Sequence, residues 1–64
     1  MNHLPKSRFI VSAYRASGEV AAEKLASTMR EVRAARAWYL QIGYPAVGHR
    51  PFTSADKADW IREG

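Results

Sequence analysis

The spacing of hydrophobic positions divides the chain into segments of different period. From Arg8 to Arg15, RFIVSAYR, β-forming residues dominate, and Phe9, Val11 and Ala13 fall on one face at period two. That alternation predicts a strand with one side against a core. Ser17-Gly18 follows, a turn dipeptide because glycine takes up positive φ without steric cost. From Met29 to Ile42 the period is helical. At about 100° per residue, Val32, Ala35, Trp38, Tyr39 and Ile42 share an arc of roughly 120°, with Glu31 the one charge intruding. This arc is expected to pack on the strands. Gly43 predicts a left-handed stop, Tyr44 can fold back as its hydrophobic contact, and Pro45 prevents continuation.

Glu19 to Thr28, EVAAEKLAST, admits two readings. Its good helix formers allow one helix from a Ser17 cap through Ile42. Alternatively, Glu19–Ala26 is the second strand of a hairpin turned at Ser17-Gly18. Thr28-Met29-Arg30-Glu31 favours the hairpin, because it matches a capping box in which the Thr hydroxyl accepts from a backbone N–H and Glu31 reaches back. Two stretches of similar length flanking the turn favour it as well. Ala21-Ala22 argues for the helix, being poor strand material, and Glu19 and Glu23 suit a helix N-terminus.

Beyond the helix, Ala46–Phe52 is broken by Gly48 and Pro51 and predicts an extended segment or edge strand. Thr53 or Ser54 caps a final helix over Ala55–Glu63, with Asp56 and Asp59 near its positive end and Arg62 at the other. Residues 1–7, with Pro5 and Ser7, read as a flexible arm and 8–64 as one small domain. The expected fold class is α+β: an N-terminal strand or β-hairpin, a central amphipathic helix, a short extended segment and a short C-terminal helix.

Composition narrows the function classes. The 64 residues are 47% hydrophobic, too apolar for a disordered tail. The sequence has no cysteine, so no disulfide framework or thiolate zinc site is available and a reducing, cytoplasmic setting is expected. No run of about 18 apolar residues predicts a membrane span. Phe9-Ile10-Val11 is too short for a signal-peptide core. A domain of about 60 residues buries only about 60% of its unfolded surface, which leaves little room for a catalytic cleft. A partner or self-association is a natural way to add burial, and no enzyme activity is expected.

The formal charge is +4. Arg30, Arg33 and Arg36 recur at i, i+3, i+6 on the side of the helix away from the apolar arc, where Met29 and Leu40 also project. Such a ridge suits phosphate or an acidic protein surface, although a solvated helix face also accounts for it. Arginine outnumbers lysine seven to three, which fits planar, bidentate recognition.

Catalytic and metal chemistry find no support. His3 and His49 are expected to be solvated, His49 in a loop. His49, Asp56 and Asp59 match no metal-ligand spacing, and dipole complementarity explains Asp56 and Asp59 without acid–base catalysis. The serines lack a Gly-x-Ser-x-Gly context, no glycine-rich phosphate loop occurs, and no cofactor is expected. Trp38, Tyr39, Tyr44, Phe52 and Trp60 are expected mainly to form the core and staple the final helix onto the rest. Sixty-four residues are too few, however, to bury two Trp, three Tyr and two Phe completely. An exposed remnant near Trp38, Leu40 or Trp60 is the composition of an interface hot spot. The expected function is a small regulatory or adaptor protein that binds another protein, or itself, through Met29, Arg30, Arg33, Arg36, Trp38 and Leu40. The alternative is nucleic-acid binding through the basic helix face and the N-terminal strand region. Neither the glycine turn of a ribbon–helix–helix protein near residues 27–30 nor the aromatic signature of an RNA-recognition sheet is present.

Overall fold

Residues 19–26 decide the architecture, and Val20–Ala26 form a strand. The computed structural model describes residues 7–63, so the arm expected over residues 1–7 lies, except for Ser7, outside the described residues. The elements are β1 (Phe9–Tyr14), β2 (Val20–Ala26), α1 (Met29–Gln41), β3 (Ala46–Pro51) and α2 (Ser54–Glu63), an α+β fold. At the hairpin, Gly18 N donates to Arg15 O at 2.9 Å and Arg15 N donates to Glu19 O at 2.8 Å. Gly18 has φ +92°, the positive value that a three-residue turn of this kind asks of its last residue.

The sheet order is β2-β1-β3, with both neighbours antiparallel to β1. Phe9 stands opposite Ala26 and Pro51, and Val11 opposite Lys24 and His49. The β1–β2 register shifts after Ala13↔Ala22, so that Tyr14 faces Val20 and Ala21 is the extra residue of a bulge. The Ala21-Ala22 pair that argued for a helix is thus accommodated by position: Ala21 lies in the bulge, and Ala22 packs at the margin of the core.

Helix α1 lies on the face carrying Phe9, Val11 and Ala13. Val11, Ala13, Ala26, Val32, Ala35 and Tyr39 form the core, with Phe9, Ala22, Tyr44 and Val47 around them. Val11 and Val32 are fully buried, each contributing about 1.5–3 kcal/mol of side-chain burial. Alanines at 13, 26 and 35 let the helix approach the sheet closely.

Both ends of α1 are chemically closed. Thr28, in an extended conformation, accepts at Oγ1 from Glu31 N at 3.2 Å. The Glu31 carboxylate accepts from Ser27 N at 2.6 Å, one residue earlier than in the usual capping box. At the other end Gly43 has φ +113°. Tyr44 N donates to Tyr39 O and Gly43 N to Leu40 O, both at 3.2 Å, the paired bonds of a Schellman stop. The accompanying hydrophobic contact is Tyr44 edge-on to Tyr39, with centroids 5.6 Å apart.

The packing arc is narrower than the helical wheel predicted. Val32, Ala35 and Tyr39 are buried, but Trp38 and Ile42 are 50% and 53% exposed. A three-stranded sheet is narrow, and Trp38 lies about 100° around the helix from Tyr39, over the β2 side and clear of the core.

Helix α2 reaches the other face of the sheet through its side chains. Thr53 is its cap: Thr53 Oγ1 accepts from Asp56 N at 3.2 Å, and Asp56 Oδ2 accepts from Thr53 N at 3.0 Å. The Trp60 ring meets buried Phe52 edge-on at 6.1 Å, and Ile10 is buried on this side.

Candidate functional site

The six residues expected to form one binding surface separate into two groups on α1. Met29, Arg33, Arg36 and Leu40, at i, i+4, i+7 and i+11, make a single strip along the helix. Arg30 stands beside this strip on the outermost face. Trp38 is on the opposite flank, where Lys24 Nζ of β2 lies 5.6 Å from its ring centroid. The arginines therefore fan around the helix, and the expected ridge facing directly away from the core is corrected at Arg36, which leans toward β3.

Arg36 Nη1 stands 3.3 Å from His49 Nδ1. A guanidinium can only donate, so in this contact Arg36 is the donor and Nδ1 the acceptor. His49 belongs to β3 and not to a loop, and Phe9 meets its ring at 6.4 Å in a T-shaped arrangement. The strand thereby sets the position of Arg36 on the strip. Met29 and Leu40 at its two ends are 40% and 52% exposed.

Charge pairing separates these arginines from Arg15, Arg50 and Arg62. Arg15 pairs with Glu19 at 3.8 Å, Arg50 with Asp56 at 2.7 Å and Arg62 with Asp59 at 3.3 Å. Among the described residues, Arg30, Arg33 and Arg36 make no ion pair with a carboxylate. The N-terminal strand offers far less. Ile10, Val11, Ser12 and Ala13 are all buried, because β1 is central and covered on both faces. Among the described residues its basic contribution is Arg8 and Arg15 at the ends, and Arg15 is already paired; Lys6 lies outside the described residues.

A second concavity lies between α2 and the sheet, lined by Ile10, Glu23, Leu25, Arg50, Asp56 and Trp60 among others. At about 210 Å³ it falls below the roughly 300–1,000 Å³ of small-molecule sites. Its central charges are engaged with one another. Asp56 Oδ2 accepts from Arg50 Nη1 at 2.7 Å, Thr53 Oγ1 at 2.7 Å and Thr53 N at 3.0 Å. The Arg50 bond first, then those from Thr53, hold the Asp56 carboxyl well below the usual carboxylate range. This is a clasp for α2, and its sequence signal is the Thr53-x-x-Asp56 spacing. The Lys24–Trp38 contact had no such signal, because it joins two elements across the fold.

Among the described residues, no group of three or more His, Cys, Asp or Glu could hold a metal ion. No helix there is long and apolar enough to cross a membrane. No family model, curated protein or solved structure matches the chain.

Proposed function

We propose that the chain is a non-enzymatic adaptor or regulatory protein that docks an acidic protein surface on the strip Met29, Arg33, Arg36 and Leu40. Arg30 lies at its margin. The observation that carries this reading is the combination of arginines lacking carboxylate partners with exposed apolar side chains at both ends of one helical strip. Arginine and methionine are enriched at protein interfaces. A second copy is a poorer occupant, since pairing two such strips sets arginine against arginine. Trp38 stands outside this surface. A cytoplasmic setting belongs to the same proposal and rests on the lack of cysteine.

Duplex DNA could use the same cations, but its phosphates have no use for Met29 and Leu40. The test is a titration of the full chain with two probes: a helical peptide with a leucine face flanked by glutamates, and a generic DNA duplex. Arg33→Glu and Leu40→Ser are each expected to weaken peptide binding about tenfold, equivalent to about 1.4 kcal/mol. Tighter binding to the duplex, lost in Arg33→Glu and indifferent to Leu40→Ser, would overturn the proposal in favour of nucleic acid.

A further inference from the structure

The free edge of β2 is the other feature that the fold leaves open. Phe52 N donates to Arg8 O at 2.8 Å and, at the other end of β1, Arg15 N donates to Glu19 O at 2.8 Å. Ile10, Ser12 and Tyr14 therefore direct their backbone groups toward β3, while the Arg8 N–H turns to Ala26 O at 3.0 Å. Phe9, Val11 and Ala13 then bond toward β2, to Ala26, Lys24 and Ala22, because alternate residues of a central strand serve alternate neighbours. It follows that the N–H and C=O groups of Glu23 and Leu25 point outward from the sheet. β2 has no proline, and its bulge lies at the end nearest the turn. β3, by contrast, ends in Pro51. β2 is therefore the less protected of the two edges.

Alongside this edge runs a groove between β2 and α1, lined by Lys24, Leu25, Ala26, Ala34, Ala35 and Trp38. Three alanines leave it open, and half-exposed Trp38 forms its wall. Glu31 also borders it, but its carboxylate is engaged by Ser27 N. Lys24 lies over Trp38 and makes no ion pair among the described residues. The groove thus presents outward hydrogen-bonding backbone, an aromatic wall and one ammonium group.

We infer that an extended segment of a partner protein, carrying a single carboxylate among apolar residues, adds to β2 as a fourth strand. Its alternate side chains enter the groove, and the carboxylate stands opposite Lys24 beside Trp38. Main-chain bonds supply affinity in this mode, and the pocketed side chains supply selectivity. The arrangement does not depend on the arginine strip.

A second copy fits this edge poorly. In symmetric antiparallel pairing, directly opposed residues share a face, so the two-fold axis must pass through a residue. An axis at Glu23 or Lys24 sets like charges directly opposite, which is destabilising. An axis at Ala22 sets Lys24 against Val20 and Glu23 against Ala21, in the bulge, and an axis at Leu25 sets Lys24 against Ala26 and Glu23 against Ser27, so neither gives a charged side chain a complementary partner.

The experiment titrates the isotope-labelled full chain with the heptapeptide acetyl-TVTETVT-amide, whose valines and glutamate share one face. Amide resonances of Glu23 and Leu25 are expected to shift, and their hydrogen exchange to slow several-fold. Replacing the peptide's glutamate by lysine is expected to weaken binding at least fivefold, as is Trp38→Ala. Glu23→Pro removes an outward N–H and is expected to abolish binding. Should that variant fail to fold, N-methylating alternate peptide amides serves instead: one set must abolish binding and the other must leave it intact. The inference fails if Glu23 and Leu25 do not respond, if the lysine peptide binds equally well, or if both methylated peptides bind. Concentration-dependent shifts at these amides without peptide would assign the edge to a second copy and overturn it too.

Discussion

Gly43 is the position where a single methyl group should do most damage with least steric cause. Its φ of +113° lies in the region that L-residues rarely adopt, yet a Cβ built there meets nothing within 4 Å. The cost of Gly43→Ala is therefore purely backbone strain, about 1–2 kcal/mol. That strain acts on the stop holding Tyr44 N to Tyr39 O and the Tyr44 ring to the Tyr39 ring, the turn that delivers β3 to the sheet. For a domain of this size, total stability is about 3–10 kcal/mol, and each 1 kcal/mol shifts the melting temperature by about 4–8 °C. Gly43→Ala should lower the melting temperature by about 4–16 °C, and Gly43→Asn by less, since asparagine tolerates left-handed backbone.

Gly48→Ala is the opposite case. Gly48 has an ordinary φ, and its new Cβ would stand 3.4 Å from Tyr14 Cε2, a normal contact. Alanine is favoured over glycine inside a strand by roughly 0.5–1 kcal/mol, so this variant should melt at the wild-type temperature or slightly above. Thermal unfolding followed by circular dichroism measures all three variants. A Gly43→Ala protein as stable as wild type, or a Gly48→Ala protein destabilised as much, would show that the left-handed backbone at Gly43 carries no such cost.

Three further perturbations address the caps and the titrating groups. Thr28→Ala removes the acceptor for Glu31 N and should cost about 1 kcal/mol, read as a shifted urea midpoint at unchanged slope. Asp56 is held below its ordinary value by Arg50 and then Thr53. Its contribution is therefore present above the unfolded carboxylate value of about 4 and declines as pH falls below it. Asp56→Asn should flatten that acid limb, followed by fluorescence from Trp60 at the neighbouring clasp. Tyr39 is raised from 10.0 by burial, then by Tyr44 and Glu23, so the unfolded chain ionises first. Stability should decline above about pH 10, and Tyr39→Phe should reduce that alkaline loss in a denaturant series.

The elements legible in the sequence are those written in short-range chemistry. Thr28 with Glu31, Gly43 with Tyr44, and Ser17-Gly18 each specify a chain reversal or helix end from a few adjacent residues. They favoured a strand after the turn without excluding a helix there, because Ala21-Ala22 reads the other way; the fold forms the strand Val20–Ala26. What the sequence concealed depends on the width of the sheet. A wheel counts apolar residues without knowing how many strands lie beneath, so Trp38 and Ile42 joined an arc that only Val32, Ala35 and Tyr39 fill. Arg36 joined a ridge opposite the core because its partner, His49, arrives from β3. The Lys24–Trp38 contact and the Arg50–Asp56 bond likewise join separate elements, and local periodicity does not encode them. The strip Met29, Arg33, Arg36, Leu40 was present in the residues named from sequence, but its separation from Trp38 required the fold.

A charge-swap cycle tests the proposed docking surface most directly. The leucine-faced, glutamate-flanked peptide is titrated at several salt concentrations against wild-type chain and Arg33→Glu, and again after the facing peptide glutamates become lysines. Docking on the strip predicts that Arg33→Glu loses about tenfold in affinity, or about 1.4 kcal/mol, and that the lysine peptide restores most of it. Equal affinity of wild type and Arg33→Glu for the original peptide, or no restoration by the swap, would contradict it.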